Sequence, residues 1–276
     1  GMLGVDWDIT EGDNGAKALW TLDVAVDGGS GRITSATVTG SVSVPGLGTD
    51  AEGIAYRAAT GSVFVTDEVT STIQQFDASS GETLAPVTVP AIYAPANLRG
   101  NFGLESLAWG AGGLWTANEE ALSPDGPLST TTAGTWVRIQ RFNGSLAADG
   151  QWAYRTDPIS ALSSLTTAER SGVVDLLPWS DSVVLVLERE FGGAIPGFRS
   201  RLYGVDLSTG ASCWCRTTAA GSARISTPWW RFPSRRRSCS WPRRWPRWPA
   251  PGGPDGLAAG VSSPTADRWP TSSAAR

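Results

Sequence analysis

The sequence contains no histidine in its 276 residues. A Ser-His-Asp triad, a histidine zinc site and a phosphohistidine mechanism are therefore excluded. The three cysteines all follow residue 211, so residues 1–211 need no disulfide to fold. No apolar stretch approaches the roughly 20 residues that a membrane helix needs, and no basic and apolar signal-peptide regions are visible at the start. The absence of a G-x-S-x-G motif also leaves an α/β-hydrolase nucleophile elbow without support.

Acidic residues are nearly missing from the last 65 residues, which hold only Asp255 and Asp267 beside 11 Arg, 9 Pro and 7 Trp. Subtraction from the totals of 22 basic and 26 acidic residues gives 11 − 24 = −13 for residues 1–211 and 11 − 2 = +9 for residues 212–276. The acidic part will repel nucleic acid and anionic membranes and will attract cations. We expect no nucleic-acid or membrane partner for it.

Residues 212–276 have too few aliphatic side chains for a core and follow neither a strand nor a helix period. Interleaved Arg and Trp could bind nucleic acid or an anionic surface. The abrupt change of composition favours instead an out-of-frame translation of a GC-rich gene from near residue 211. We therefore predict a β domain at 1–211 and an irregular Arg/Pro/Trp-rich tail, disordered or out of frame, at 212–276.

Alternation of apolar and polar residues predicts short strands at 3–9, 18–26 and 33–44. A unit of three strands then occurs three times, at 53–77, 104–143 and 173–207. The acids of each unit have similar spacings: 16 residues from Glu52 to Glu68, 14 from Glu105 to Glu119 and 13 from Asp175 to Glu188. The third strand of each unit ends on a polar turn residue, which is Asp77, Asn143 or Asp206.

Three strands with acids at matched places are typical of β-propeller blades, in which a fourth strand is harder to recognise. The uneven repeat period requires insertions, for which 121–135 and 154–170 are the candidates, the second with a short helix. The fold class expected is all-β and propeller-like.

Several motifs occur in a particular order over residues 1–210. They are Asp50-Ala51-Glu52-Gly53, Thr66-Asp67-Glu68, Asn101-Phe102-Gly103-Leu104-Glu105-Ser106, Ala117-Asn118-Glu119-Glu120-Ala121-Leu122 and Leu187-Glu188-Arg189, with Arg138 and Arg141-Phe142 on a following strand. In these motifs the chain resembles the phytase-like family, "esterase-like activity of phytase". The resemblance implies a hydrolase of ester bonds and an extracellular or periplasmic location. Because the tail does not match, it also implies an incomplete propeller of three to four blades.

A propeller brings the ends of its inner strands together around a channel, so acids that recur at one level converge there. Converging carboxylates repel one another, which raises their pKa values unless a cation lies among them. Ca²⁺ takes six to eight oxygen ligands, and such a ring supplies them. The acids that we place nearest the channel are Glu52, Glu68, Glu105, Glu119 and Glu188, and second choices are Asp50, Asp67, Glu120 and Asp175.

From these residues we predict three roles. Glu52, Glu68 and Glu119 are assigned to the metal, while Glu105, Glu188 and Arg189 are assigned to catalysis. Substrate binding is assigned to Arg99, Asn101 and Arg189, since a guanidinium can hold a phosphate or a carboxylate by two hydrogen bonds. Ca²⁺ is the expected cofactor, and a small-molecule ester or phosphoester is the expected substrate.

Alternatives remain open at this stage. Each acid taken alone could cap a turn or pair with an arginine, and Glu188 with Arg189 could form a buried ion pair between blades. The aromatic residues Trp109, Trp115, Trp136 and Trp179 are expected to pack between blades rather than to hold a ligand. The whole domain could be a non-catalytic binding or scaffold module, or a Ca²⁺-dependent lactonase-like hydrolase, instead of a metal-assisted phosphoesterase.

Overall fold

The computed structural model describes residues 2–5, 17–160, 169–191, 198–209, 211–217 and 223–225, all within the first of two compact units, Gly1–Arg236. These residues form antiparallel sheets, and their helices are single 3-10 turns at Ala91–Tyr93, Pro95–Asn97 and Ser123–Asp125. The all-β prediction is confirmed. The described part of the chain has no helix that is both long enough and apolar enough to cross a bilayer.

The strands form four sheets in sequence order. Sheet I contains β1 (Met2–Val5), β2 (Ala18–Val26) and β3 (Ile33–Ser43), and sheet II contains β4 (Ala51–Arg57), β5 (Ser62–Asp67) and β6 (Thr72–Asp77). Sheet III contains β7 (Leu104–Gly110), β8 (Gly113–Asn118), β9 (Trp136–Phe142) and β10 (Ala148–Arg155). Sheet IV contains β11 (Arg170–Ser180), β12 (Val183–Phe191), β13 (Phe198–Asp206), β14 (Ala211–Thr217) and β15 (Ala223–Ile225). Within each sheet every strand pairs with the next strand along the chain.

The polar residues at the ends of the third strands do close turns. Asp77, Asn143 and Asp206 each accept a hydrogen bond of 2.9 Å on Oδ1 from the backbone N–H two residues later. An Asp or Asn side chain that binds its own backbone in this way fixes the chain reversal locally. The same turn chemistry therefore ends the third strand of sheets II, III and IV.

Successive side chains of a strand point to opposite faces, and an apolar core lies on each side of sheets II and III. Val63, Val65 and Phe76 of sheet II pack against Leu19 and Val44. On its other side sheet II meets sheet III through a second core, where Phe64 stacks on Trp109 with ring centroids 5.7 Å apart. Sheets in this arrangement are stacked in chain order rather than joined edge to edge.

The third core lies between sheets III and IV, and its largest member is the fully buried Trp115. Tyr154 from β10 and Tyr203 from β13 lie in the same core. Two of the tryptophans expected to pack between sheets, Trp109 and Trp115, do so, whereas Trp136 is 40% exposed.

Two regions differ from the secondary structure that the sequence predicts. The sequence patterns predict no strand at β10, which includes Tyr154 and Arg155 of the expected insertion at 154–170. The helix predicted within 154–170 falls largely on 161–168, outside the described residues. Beyond the boundary placed at 211, β14 and β15 continue sheet IV, and residues 226–276 of the predicted tail also lie outside the described residues.

Candidate functional site: a carboxylate cluster between three sheets

In sheets II and III, the start of the first strand is joined to the end of the second strand in the same way. In sheet II, Ala51 pairs with Asp67 and the N–H of Glu68 donates to the carbonyl of Asp50 at 2.9 Å. In sheet III, Leu104 pairs with Asn118 and the N–H of Glu119 donates to the carbonyl of Gly103 at 2.8 Å. Glu68 and Glu119 therefore occupy equivalent positions.

Glu52 and Glu105 are a second equivalent pair. Each follows the first paired residue of its strand, where the register of the ladder shifts at a β-bulge. A bulge bends the strand and redirects a side chain, and bulges are common next to functional sites. The sequence repeat of two acids per unit thus has a structural counterpart in sheets II and III.

Sheet IV repeats the backbone but not the acids. Val173 pairs with Glu188, and the residues at the positions of Glu105 and Glu119 are Val174 and Arg189. Asp175 and Glu188, which the sequence analysis matches with these acids, therefore each lie one residue away from the equivalent position. A one-residue shift in a strand moves a side chain to the opposite face. Counting from the turn finds the correct match, because Glu68, Glu119 and Arg189 each lie six residues after the first residue of β5, β8 and β12.

Two glycines bring the sheets close enough for these positions to meet. A Cβ on Gly103 of sheet III would lie 2.2 Å from the carbonyl oxygen of Glu68, and one on Gly172 of sheet IV would lie 2.6 Å from that of Glu119. At the second contact the N–H of Val173 donates to the Glu119 carbonyl at 2.9 Å. Sequence reasoning gave no role to Gly172 and used Gly103 only as part of a motif. Close backbone approach, rather than a special turn, explains why glycine stands at both places.

Five carboxylates converge at this junction, and we call them the carboxylate cluster: Asp50, Glu52, Glu68, Glu105 and Glu119. Ligand oxygens of Asp50, Glu52 and Glu68 all lie within 4.8 Å of one another, and so do those of Glu68, Glu105 and Glu119. Glu68 belongs to both groups. The structure thus brings together the three acids assigned to a metal, one acid assigned to catalysis and one second choice.

Arg189 is the cation beside this cluster. Its Nη2 lies 3.3 Å from Glu119 Oε1 and 3.5 Å from Glu105 Oε1. Charge-assisted hydrogen bonds between Arg and a carboxylate are normally about 2.7–2.9 Å long, so these contacts are loose. The side chain of Arg189 is also 43% exposed, which leaves its guanidinium accessible to a ligand.

Burial and mutual repulsion dominate the electrostatics of the cluster. Desolvation and the neighbouring carboxylates raise the pKa of Glu68 to about 10 and that of Glu105 to about 8. Burial raises the pKa of Glu119 to about 7, although Arg189 opposes the shift, and burial together with Asp50 raises that of Glu52 to about 7. The fold therefore holds acids close together in a place that disfavours their charge, which is characteristic of functional sites.

Glu68 carries the strongest sign of a missing partner. Its side chain is 2% exposed, and its Oε1 is among the buried polar atoms of the described residues that have no hydrogen-bond partner. Buried polar atoms are normally paired, so an orphaned carboxylate oxygen facing other carboxylates indicates a place for a cation. A purely oxygen donor set without histidine or thiolate suits a hard cation such as Ca²⁺, Mg²⁺ or Mn²⁺.

Glu188 lies apart from the cluster. It is 1% exposed and accepts hydrogen bonds from the Tyr154 hydroxyl at 2.7 Å and from the Asp157 N–H at 3.2 Å on each oxygen. Burial raises the pKa of Glu188 to about 7, against the hydrogen bond from Tyr154. Its position next to Arg189 in the sequence places it on the other face of β12.

Glu190 extends this second group of buried acids. It is fully buried, accepts a hydrogen bond of 2.8 Å from the Ser160 hydroxyl and forms an ion pair with Arg201 at 2.6 Å. Arg201 also lies 3.9 Å from Glu188. We call Glu188, Glu190, Arg201, Tyr154, Asp157 and Ser160 the Glu188 network, and its carboxylates, unlike those of the cluster, are matched by donors.

Neither residue assigned to substrate binding in the loop before β7 joins the cluster in the contacts that the structure describes. The Nη2 of Arg99 donates to the carbonyl of Gly126 at 2.8 Å and thereby ties down the loop after β8. Asn101 is exposed on the same segment. These two roles remain predictions.

The other second-choice acids have local partners or lie at the surface. Asp67 accepts from the N–H and hydroxyl of Thr70 at 2.8 and 2.6 Å, and so forms a turn after β5. Glu120 forms a two-hydrogen-bond ion pair with Arg170 at 2.7 and 2.5 Å. Asp175 is exposed on β11.

A surface pocket of about 350 Å³ lies elsewhere, against β9 and β10, and includes no member of the cluster. Its charged groups, Arg138 and Asp125, bind each other through two hydrogen bonds of 2.7 and 2.5 Å. An acid and a base that neutralise each other give this pocket less reactive groups than the cluster offers, so the carboxylate cluster is the candidate site.

Comparison with known proteins bears on the resemblance inferred from the motifs. No curated protein matches the chain. The family model named Phytase-like, described as "Esterase-like activity of phytase", matches residues 9–220, a span that contains the carboxylate cluster, Arg189 and all of the Glu188 network. This match covers more than half of the sequence and confirms the resemblance: the chain belongs to the phytase-like family.

Proposed function

We propose that this protein is a metal-assisted hydrolase of esters, with phosphoesters as the leading substrate class. Membership of the phytase-like family supports an esterase-like hydrolase in general. The choice of a metal-assisted reaction is carried by one observation: the orphaned, 2% exposed Glu68 carboxylate in contact range of four other acids.

We also propose that the four sheets are consecutive blades of a β-propeller. Support comes from their order along the chain, their antiparallel meanders and the packing of β4 on β7 and of β7 on β11. In a propeller these first strands surround the axis, which accounts for acids of different sheets meeting at one place.

Ca²⁺ is the cation that we propose, held by Glu68, Glu105 and Glu119 with further oxygens from water or substrate. A bound divalent cation supplies charge neutralisation, a grip on a phosphoryl oxygen and a lowered pKa for a water molecule. The protein itself supplies the carboxylates and holds them in place through the glycine contacts between sheets.

Arg189 then serves substrate binding rather than proton transfer. Its loose contacts of 3.3 and 3.5 Å to Glu119 and Glu105 can be exchanged for a phosphate, to which a guanidinium binds by two parallel hydrogen bonds. The positive charge of Arg189 at the rim of an acidic site favours an anionic substrate group there, which supports a phosphoester over a neutral ester.

The test measures hydrolysis of p-nitrophenyl phosphate and p-nitrophenyl acetate by the purified chain during titration with Ca²⁺, followed by EDTA. We expect Ca²⁺-dependent hydrolysis of the phosphate ester. Glu105→Gln is expected to lower kcat/KM about 100-fold, the scale of losing one charge-stabilising group. Glu82→Gln, the same change at an exposed residue, is the matched control and is expected to have no effect.

Hydrolysis of the acetate alone would replace the phosphoester by a carboxyl ester or lactone. Ca²⁺ binding without hydrolysis of either ester would favour the non-catalytic binding module. Equal activity of the Glu105→Gln and Glu82→Gln variants would remove the cluster from the reaction.

A further inference from the structure

We propose that the carboxylate cluster holds two divalent cations, bridged by Glu68, rather than one. This inference rests on the proposed function and refines its metal site. Its starting point is the grouping of the ligand oxygens, which form two triads, Asp50–Glu52–Glu68 and Glu68–Glu105–Glu119.

The two triads come from different parts of the fold. Asp50 and Glu52 belong to the beginning of sheet II, whereas Glu105 and Glu119 belong to sheet III. Glu68 follows β5 and stands where sheet III contacts sheet II, since the Cβ position of Gly103 lies 2.2 Å from the Glu68 carbonyl. Each triad therefore has its own pair of acids, and the shared member lies between the pairs.

Glu68 is suited to bridging because its carboxylate offers two oxygens and lies between the acids on either side of it. Its Oε1 is buried without a hydrogen-bond partner among the described residues. A structural role would require donors of the kind that surround Glu188 and Glu190, where a tyrosine, a serine and an arginine contribute them. A carboxylate shared by two cations obtains its partners on both sides.

Charge balance favours two cations over one. The five acids carry −5 when ionised and Arg189 adds +1, which leaves −4 at a junction where three of the five acids, Glu68, Glu105 and Glu119, are buried. One divalent cation leaves −2, and two leave zero. Buried charge that is not compensated is costly. The charge of −2 that remains after the first ion therefore stabilises a second ion.

The pairs differ in exposure, which distinguishes the two subsites. Glu105 and Glu119 are 8% and 5% exposed, while Asp50 and Glu52 are only half-buried. The inner subsite is expected to bind first and more tightly, and the outer subsite is expected to keep more water. Two ions at such a site support an in-line displacement at phosphorus by stabilising both the attacking and the leaving oxygen.

The test counts bound ions and asks whether they are neighbours. Mn²⁺ is titrated into the EDTA-treated chain, bound ions are counted by equilibrium dialysis, and electron paramagnetic resonance reports magnetic coupling between adjacent ions. Two equivalents with a coupled spectrum are expected for the natural sequence and for Glu82→Gln. Asp50→Asn combined with Glu52→Gln should retain one equivalent and lose the coupling.

Glu68→Gln should weaken both sites, and circular dichroism establishes whether that variant is folded. If it is not, the Asp50/Glu52 variant still decides the question, because its substitutions are half-buried. One equivalent in the natural sequence, with metal-dependent ester hydrolysis intact, overturns the two-ion proposal and leaves the proposed function standing. No bound equivalent and no hydrolysis overturns both.

Discussion

The carboxylate cluster and the Glu188 network both contain buried glutamates, yet the partners of these glutamates differ. Glu190 has a serine hydroxyl at 2.8 Å and an arginine at 2.6 Å, and Glu188 has a tyrosine hydroxyl at 2.7 Å. Glu68 has an oxygen with no partner, and its neighbours are other acids. Buried acids that accept hydrogen bonds from donors stabilise a particular packing. Buried acids that face one another repel when ionised and are stabilised by a bound cation.

The difference arises from two positions in a repeated backbone, where sheet IV has Val174 and Arg189 in place of acids. Sheets II, III and IV share the strand-end geometry, but the position that holds Glu68 and Glu119 holds Arg189 in sheet IV. The acids of sheet IV instead lie on the opposite face of β12, where Arg201 and Tyr154 meet them. Sheet IV thus contributes Arg189 to the edge of the cluster, while its own acids have hydrogen-bond and ion-pair partners elsewhere.

The largest expected effect comes from the Glu188 network. Glu190→Ala leaves Arg201, whose side chain is 9% exposed, without its closest acid, and breaking a buried pair on one side costs about 3–5 kcal/mol. Urea unfolding should show this loss in the free energy of unfolding. Glu82→Ala at the surface should change it by no more than about 0.5 kcal/mol. A loss below about 1 kcal/mol for Glu190→Ala would contradict the structural role of the network.

Gly103→Ala tests the contact that brings sheet III against Glu68. The added Cβ meets the Glu68 carbonyl at 2.2 Å, and forced expansion of a packed region costs about 1–3 kcal/mol. Because the shift occurs beside the cluster, Ca²⁺ affinity should fall together with stability. Gly40→Ala on β3 is the matched control, since no atom lies within 4 Å of its Cβ position. Equal stability and Ca²⁺ affinity in the two variants would be evidence against the close approach.

Glu68→Gln should have the opposite sign from Glu190→Ala when no divalent cation is present. At pH 8 the folded chain must hold a proton on Glu68, whose pKa the fold raises to about 10, whereas the unfolded chain releases it. Glu68→Gln removes this cost and should raise the free energy of unfolding at pH 8 by about 1–2 kcal/mol, about the energy of one pKa unit. Thermal unfolding in EDTA measures this gain, and excess Ca²⁺ should reverse the ranking of the variant and the natural sequence. A destabilised Glu68→Gln in EDTA would place Glu68 among the structural acids.

The sequence predicts the fold of this protein better than it predicts the partners of its acids. Strand β2 has the predicted bounds of 18–26, and the three turn residues Asp77, Asn143 and Asp206 act as expected, because period-two alternation and side-chain-to-backbone hydrogen bonds are local. Matched spacing in three repeats predicts the convergence of five acids, of which Glu52, Glu68, Glu105 and Glu119 converge and Glu188 does not.

The third repeat shows where local patterns stop being sufficient. A bulge between Val173 and Asp175 changes which residue of sheet IV faces the cluster, and a bulge has no clear mark in a single sequence. The partners of Glu188 come from β10, from the loop after it and from β13, and no spacing within β12 indicates them. The sequence places Asp50 only among the second choices for the same reason, since only the paired backbone shows that it lies beside Glu68.

The most direct test is the pH dependence of stabilisation by Ca²⁺. Carboxyl groups whose pKa values the fold raises to about 7, 8 and 10 bind more protons in the folded than in the unfolded chain. In EDTA their contribution to stability is therefore present at low pH and is lost as the pH rises from the ordinary value of 4.5 to about 10. Ca²⁺ must displace those protons, so the stabilisation that it adds should grow over the same range. Equal stabilisation by Ca²⁺ at pH 5 and pH 9, or none at either, would contradict a cation site at the carboxylate cluster.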